Sequence, residues 1–135
     1  MIVLRILLAS FHPSDALPLT RVIEGKLDQK IPGVEIHVEV VSTIREVRER
    51  AHTANVIMLH LTLSDAGQDE VISAIPELPE PVLVFTKNTD ADIHARCKMA
   101  GALVLVEGET RHTELCSSLL HCLGRSVMNA MKTLP

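Results

Sequence analysis

Three polar side chains stand at or near the ends of apolar runs, where an enzyme built from such runs usually carries its reactive groups. Ser10 ends the run RILLAS, His60 lies near the end of NVIMLHL, and Thr86 ends PVLVFT. An imidazole transfers protons near neutral pH and binds transition metals, and a hydroxyl can act as a nucleophile or contact a bound anion. These three residues therefore form the first candidate site.

His60 could serve as a phosphohistidine, a metal ligand or a pH-dependent switch. No second ligand or base stands at a fixed spacing from it, so we expect its ring to donate a hydrogen bond to a nearby carbonyl. Ser10 is followed two residues later by His12, but the sequence has no GxSxG turn that would expose a nucleophile. We expect Ser10 to be a small residue that opens a loop.

The spacing of histidines and cysteines offers no metal-binding motif. The seven histidines include no HExxH pattern and no close pair. The three cysteines, Cys97, Cys116 and Cys122, include no CxxC pattern. We therefore predict no metal and no cofactor, and we expect the cysteines to be reduced and mostly buried.

Composition favours a single folded domain over residues 1–135. Hydrophobic residues make up 47% of the chain and charged residues 22%. Phe11 and Phe85 stand without any Trp or Tyr, so the chain cannot build the stacking platforms that bind single-stranded nucleic acids. The net charge of −4 includes no basic block for DNA or anionic lipid, and the apolar start is too short to span a membrane. We expect a cytoplasmic protein with no nucleic-acid or membrane partner.

The order of elements predicts an α/β fold. Five runs with strand character alternate with five segments of helical character. The run at 34–41 alternates apolar and polar residues and is expected at a sheet edge, whereas the runs at 55–61 and 81–86 are continuously apolar and are expected at the centre. Thr43 and Glu46 have capping-box spacing at the start of the second helix. The succession requires a doubly wound parallel sheet with helices on both faces.

The last segment is predicted to be one long amphipathic helix at about 111–134. Its apolar residues recur about every four positions and continue further than one face of a small sheet is expected to cover. Exposed apolar surface of that kind usually marks an interface. We predict that the helix forms a homodimer or docks a partner through Leu119, Leu123, Val127 and Met131.

Two short segments resemble a known family, the receiver domains of two-component response regulators. PVLVFT is similar to the family's fourth strand, which ends in a threonine, here Thr86. KMAGALVLV is similar to the Ala-Gly-Ala sequence that leads into the family's fifth strand. The order of elements resembles that family over nearly the whole chain. The resemblance implies the CheY-like, flavodoxin-like fold, with strand order 2-1-3-4-5 and a site at the carboxyl ends of the strands.

The chain departs from the family where the family carries its chemistry. Ser10 and Phe11 correspond to the acidic pair that holds Mg²⁺, His60 to the phosphate-accepting aspartate, Gly108 to the lysine after the fifth strand, and Leu105 to the aromatic residue within it. Mg²⁺ is held by carboxylate oxygens, and phosphoryl transfer depends on a clamp of positive charge. The resemblance and its departures together imply a pseudo-receiver that is not phosphorylated on aspartate.

We therefore predict a non-enzymatic signalling module that acts by contact with a protein partner, such as a signalling kinase or an output domain. One alternative is an active phosphorelay receiver whose acceptor is displaced to Asp65, in the loop after the third strand. Another is a small flavodoxin-like enzyme or ligand-binding domain that uses the cleft at Ser10, His60 and Thr86.

Overall fold

The computed structural model describes residues 2–30, 33–79, 81–108 and 111–132. Within them the backbone forms five strands: β1 (Ile2–Ala9), β2 (Val34–Val41), β3 (Val56–Leu59), β4 (Val82–Thr86) and β5 (Ala102–Val106). The α-helices that alternate with these strands are α1 (Leu17–Lys30), α2 (Ile44–Arg50), α3 (Gln68–Ala74), α4 (Ala91–Met99) and α5 (His112–Lys132). None of the described helices has both the length and the apolar character needed to cross a bilayer.

All neighbouring strands pair in parallel, in the order β2-β1-β3-β4-β5. β1 pairs with β2 from Ile2 opposite Val34 to Ala9 opposite Val41, and its carboxyl-terminal half pairs with β3. The predicted fold class, a doubly wound α/β sheet of order 2-1-3-4-5, is confirmed. Because the strands are parallel, their carboxyl ends lie along the same edge of the sheet.

The central strands are covered on both faces. β3 and β4 are buried at every residue, as their continuous apolar runs predict. Successive residues of β1 enter different cores: Ile6 and Leu8 pack on the side of α1 and α5, whereas Leu7 and Ala9 pack on the side of α2, α3 and α4. β2 lies at the edge, as predicted, with its Glu35 exposed.

Side-chain caps fix where two helices begin. The Thr43 hydroxyl accepts a hydrogen bond from the Glu46 N–H at 3.0 Å, and the Glu46 carboxylate accepts from the Thr43 hydroxyl at 2.9 Å and from the Ser42 N–H at 3.4 Å. The predicted capping box therefore forms, with its carboxylate reaching one residue earlier than usual. Asp90 caps α4 through backbone N–H groups of the first turn.

The terminal helix runs from His112 to Lys132, close to the predicted 111–134. Leu115, Leu119 and Leu123 of its apolar stripe are buried beside α1 and the strands. Packing of an amphipathic face is the main source of stability for such a helix.

We expect the thiols of Cys97 and Cys122 to be unreactive in the folded protein. Burial raises the pKa of both thiols, and Arg96 and Arg125 beside them act in the opposite, weaker sense. The thiolate is the reactive form, so both groups should escape modification by Ellman's reagent until guanidinium unfolds the chain.

The same pKa direction fixes the sign of a pH dependence. Folding favours the protonated thiols, so their contribution to stability is present below the ordinary cysteine pKa and is lost as the pH rises through the raised values. Chemical denaturation at increasing alkaline pH should show the free energy of unfolding falling. Rapid modification of Cys97 or Cys122 in the native protein would contradict this account.

Candidate functional site

A cleft of about 640 Å³ opens at the carboxyl edge of the sheet. The residues after β1, β3, β4 and β5 surround it, together with the start of α1. Doubly wound folds bind their ligands in crevices at this edge. Five of the positions singled out in the sequence line it: Ser10, Phe11, His60, Thr86 and Gly108.

His60 immediately follows β3 and is tied to the end of β1. Its backbone N–H donates to the Ala9 carbonyl at 3.0 Å, and its Nδ1 lies 3.1 Å from the same oxygen. This is the hydrogen bond to a nearby carbonyl that we expect from the sequence, and the contact assigns the ring proton to Nδ1 when the imidazole is neutral. The centroid of the ring lies 6.0 Å from that of Phe85.

The other ring nitrogen of His60 faces a carboxylate. His60 Nε2 lies 3.6 Å from Glu107 Oε2, and the two side chains are 20% and 34% exposed. Glu107 follows β5 directly, and its N–H donates to the Thr86 carbonyl at 2.6 Å. The arrangement is an ion pair when His60 is protonated, and two facing acceptors when it is neutral.

Glu107 is a site residue that the sequence predictions did not include. It ends the fifth apolar run, as His60 lies near the end of the third, and parallel strands bring such ends together. That rule was sufficient to find it. The neighbouring Gly108 was compared with the family's lysine, and it supplies no side chain. Gly108 has φ of +93°, a left-handed conformation that glycine adopts without strain.

The end of β1 offers a hydroxyl and an apolar ring. Ser10 is buried, its N–H donates to the Val41 carbonyl at 2.9 Å, and its Oγ donates to the His12 carbonyl at 3.3 Å. The hydroxyl thus bonds to the backbone of His12, and no bond to its ring is formed that would activate a nucleophile. Phe11 is 43% exposed, with its ring edge-on to that of His12.

Thr86 is buried, and its hydroxyl is engaged in organising the loop after β4. The Thr86 hydroxyl accepts from the Asn88 N–H at 3.0 Å, and the Asn88 side-chain amide donates to Gln68 at 3.0 Å. The Asn88 carbonyl also lies within 2.5 Å of His94 Nε2 on α4. Lys87 lies between Thr86 and Asn88 and is exposed at the mouth of the cleft.

Asp65 lies outside the residues that line the cleft and caps α2. Its Oδ1 accepts from the Ile44 N–H at 2.7 Å, and its Oδ2 accepts from the Arg45 N–H at 3.3 Å. The preceding residue strengthens the connection, because the Ser64 N–H donates to the Ser42 carbonyl at 2.8 Å. Both carboxylate oxygens are therefore committed to backbone donors of another element.

The predicted interface on the terminal helix divides into two parts. Leu119 and Leu123 are 0% and 2% exposed in the chain's own core, so the structure corrects their assignment to a surface. The physical reason is that the sheet and α1 already cover this part of the stripe. The side chains of Val127 and Met131 lie outside the described residues, and the prediction for them stays a prediction.

The described lining of the cleft does not supply the carboxylates of a magnesium site. Glu107 is the one Asp or Glu among its described lining residues. Across the described part of the chain, no three His, Cys, Asp or Glu side chains come together in a way that could hold a metal ion. Mg²⁺ binds through carboxylate oxygens with near-octahedral geometry, so these residues do not fit it.

Known proteins resemble this chain in structure. No family model matches it, and no curated protein sequence matches it. A signal receiver domain from Vibrio parahaemolyticus aligns with a TM-score of 0.80 at 19% identity, over 99% of this chain and 100% of that one. A CheY-like receiver domain protein from Methanospirillum hungatei aligns with a TM-score of 0.72 at 16% identity, over 94% of this chain and 98% of that one.

A third solved structure extends the comparison. The beryllofluoride-activated N-terminal receiver domain of RstA from Klebsiella pneumoniae aligns with a TM-score of 0.66 at 16% identity, over 88% of this chain and 97% of that one. At such identities a structural likeness establishes architecture, and function has to be argued from the site. The chain has the CheY-like fold of response-regulator receiver domains.

Proposed function

We propose that this chain is a pseudo-receiver: a non-enzymatic, cytoplasmic signalling module of a two-component-type pathway that acts by protein–protein contact without aspartyl phosphorylation. The observation that carries the proposal is the set of side chains at the ends of β1 and β3. Ser10, Phe11 and His60 stand there, and none of them is a carboxylate. A receiver fold without those carboxylates keeps the surface of the domain and loses the phosphoryl acceptor.

The electrostatics of the cleft support the same proposal. The carboxylate of Glu107 points towards His60 and is 34% exposed, whereas Lys87 is exposed at the mouth. A phosphoryl group at the end of β3 would meet this negative charge at short range, and like charges at a few ångströms repel strongly away from bulk water. The clamp of positive charge that phosphoryl transfer requires would have to come from Lys87 alone among the described lining residues other than histidine.

The loops around the cleft are held by bonds that involve no phosphoryl group. Asn88 ties the loop after β4 to Thr86, α3 and α4, and Asp65 ties the loop after β3 to α2. Each buried or half-buried hydrogen bond contributes about 1 kcal/mol. These bonds favour one fixed arrangement of the loops, which suits a domain that presents a constant surface.

An exposed apolar surface is available for that contact. Met99 at the end of α4 is 88% exposed and Leu103 on the edge strand β5 is 40% exposed. We call these two residues the α4–β5 surface, and we propose that it works together with Val127 and Met131 of α5. The partner is a signalling kinase, an output domain or a second copy of this chain, with an isologous homodimer as the simplest assembly.

The alternative of a displaced acceptor at Asp65 has less support. An acceptor carboxylate must be free to attack a phosphodonor, and both oxygens of Asp65 accept backbone hydrogen bonds at the start of α2. Asp65 also lies outside the cleft lining. The remaining alternative, a ligand site in the cleft, is compatible with the pseudo-receiver.

The pseudo-receiver proposal predicts that the protein does not bind a mimic of the phosphoryl group. Addition of Mg²⁺ and beryllofluoride should leave the amide NMR signals of His60, Thr86 and Gly108 unshifted, because the ends of β1 and β3 carry no carboxylate and the single carboxylate of Glu107 does not make a magnesium site. Acetyl phosphate should likewise leave the mass of the protein unchanged. Saturable, metal-dependent shifts at these three residues would overturn the proposal.

Loss of the Asp65 carboxylate should lower the stability of the fold and should not change labelling by a phosphodonor. Asp65→Ala removes the acceptor for two N–H groups of α2 and should lower the free energy of unfolding by about 1 kcal/mol, as measured by urea denaturation. Glu77→Ala, which removes an exposed partner of Arg48, serves as the control and should cost less. Labelling of the wild-type protein by a phosphodonor that disappears in Asp65→Asn would support the displaced acceptor instead.

Charges on the proposed interface should weaken association. Met99→Glu combined with Leu103→Glu, and separately Val127→Glu with Met131→Glu, should weaken self-association or partner binding about tenfold or more, since each charge would have to be desolvated. Sedimentation and pull-down with the cognate partner measure this. Leu17→Glu, at an apolar residue that is 53% exposed at the start of α1, is the matched control. Unchanged assembly and unchanged binding in both double variants would exclude this interface.

A further inference from the structure

The pair formed by His60 and Glu107 leaves two hydrogen-bond acceptors facing the same space. His60 Nδ1 bonds to the Ala9 carbonyl, so the neutral ring presents the lone pair of Nε2, 3.6 Å from Glu107 Oε2. Two acceptors at that distance form no hydrogen bond with each other. Among the described residues, no further side chain donates to either atom. Within the described part of the chain the pair therefore lacks a donor, which either a proton on His60 or an N–H group of a ligand can supply.

The rest of the cleft provides a wall for an apolar body. Phe85 lies beside the His60 ring, Leu19 and Val22 approach from α1, and Phe11 lies exposed at the mouth. The volume of about 640 Å³ falls within the range of small-molecule sites, which combine mostly apolar walls with a few convergent polar groups.

We propose that this cleft binds a small organic cation with an apolar body, such as an aryl amidine or an arylalkyl amine. Its N–H groups donate to Glu107 Oε2 and His60 Nε2, and its ring packs between Phe85 and the α1 residues. A carboxylate that accepts from a cationic donor forms a bond about twice as strong as a neutral one. The proposal goes beyond the pseudo-receiver function, because that function requires no ligand at the carboxyl edge of the sheet.

Charge decides the class of ligand. Glu107 is two-thirds buried at the end of β5 and faces the interior of the cleft, whereas Lys87 is exposed at the mouth, where water screens it. A cation inside the cleft is therefore attracted by the carboxylate of Glu107, which water screens less than it screens Lys87.

The test titrates benzamidine into the full chain and follows amide NMR shifts, with benzoate as a probe of the same shape and opposite charge. Benzamidine should give saturable shifts at Leu19, His60 and Glu107, and benzoate should give none. Glu107→Gln keeps the shape of the side chain and should lower the affinity for benzamidine at least about tenfold. Glu49→Gln, at an exposed partner of Arg45 on α2, removes the same charge elsewhere and should leave the affinity unchanged.

Three results would overturn the proposal. They are the absence of saturable benzamidine shifts at the cleft, equal or tighter binding of benzoate, and an unchanged affinity in Glu107→Gln with a wild-type-like spectrum of the free protein. The comparison with benzoate uses the wild-type chain and so does not depend on any variant folding. Neither probe contains phosphorus or a metal, so failure here leaves the response to Mg²⁺ and beryllofluoride as a separate question.

Discussion

The hydrogen bonding of β1 along both of its edges is the constraint on which the rest of the structure depends. β1 pairs with β2 over its full length and with β3 over its carboxyl-terminal half, so its register sets that of the sheet. Its residues alternate between two cores, Ile6 and Leu8 on one side and Leu7 and Ala9 on the other. A shift of β1 by one residue in register would turn each of these side chains to the opposite face of the sheet. Both helical layers would then pack against side chains of the other set.

The same strand also builds the cleft. The Ala9 carbonyl at its end receives both the backbone N–H and the ring of His60, which orients the imidazole towards Glu107 on the far side of β4. The cleft is therefore formed by the ends of four strands, β1, β3, β4 and β5, whose relative positions are fixed by the pairing in the sheet. Many different sequences can form apolar strands with this pattern. This explains why the solved receiver domains share the fold of this chain at only 16% and 19% identity.

Much of this arrangement could be predicted from the sequence, because strand ends are marked by polar residues after apolar runs. His60, Thr86 and Ser10 were found in that way. Asp65 could not be recognised as a cap, since its bond to Ile44 joins residues 21 positions apart and depends on how two loops meet.

The terminal helix shows a different limit of sequence reasoning. Its four-residue repeat identifies an apolar stripe at Leu119 and Leu123, but periodicity does not say what covers a stripe. The chain's own sheet covers these two residues. Glu107, in contrast, was within reach, because it obeys the same strand-end rule as His60.

The loop after β3 also has a mechanical consequence. Ser64 donates to the Ser42 and Phe11 carbonyls and Asp65 accepts from Ile44, so the loops after β1, β2 and β3 are joined into one rim. Opening of this rim would break these bonds, so amide hydrogen exchange at Ile44 should report events at the cleft although Ile44 does not line it. On the opposite side the cleft is lined by Leu19 and Val22 of α1, which do not belong to this rim.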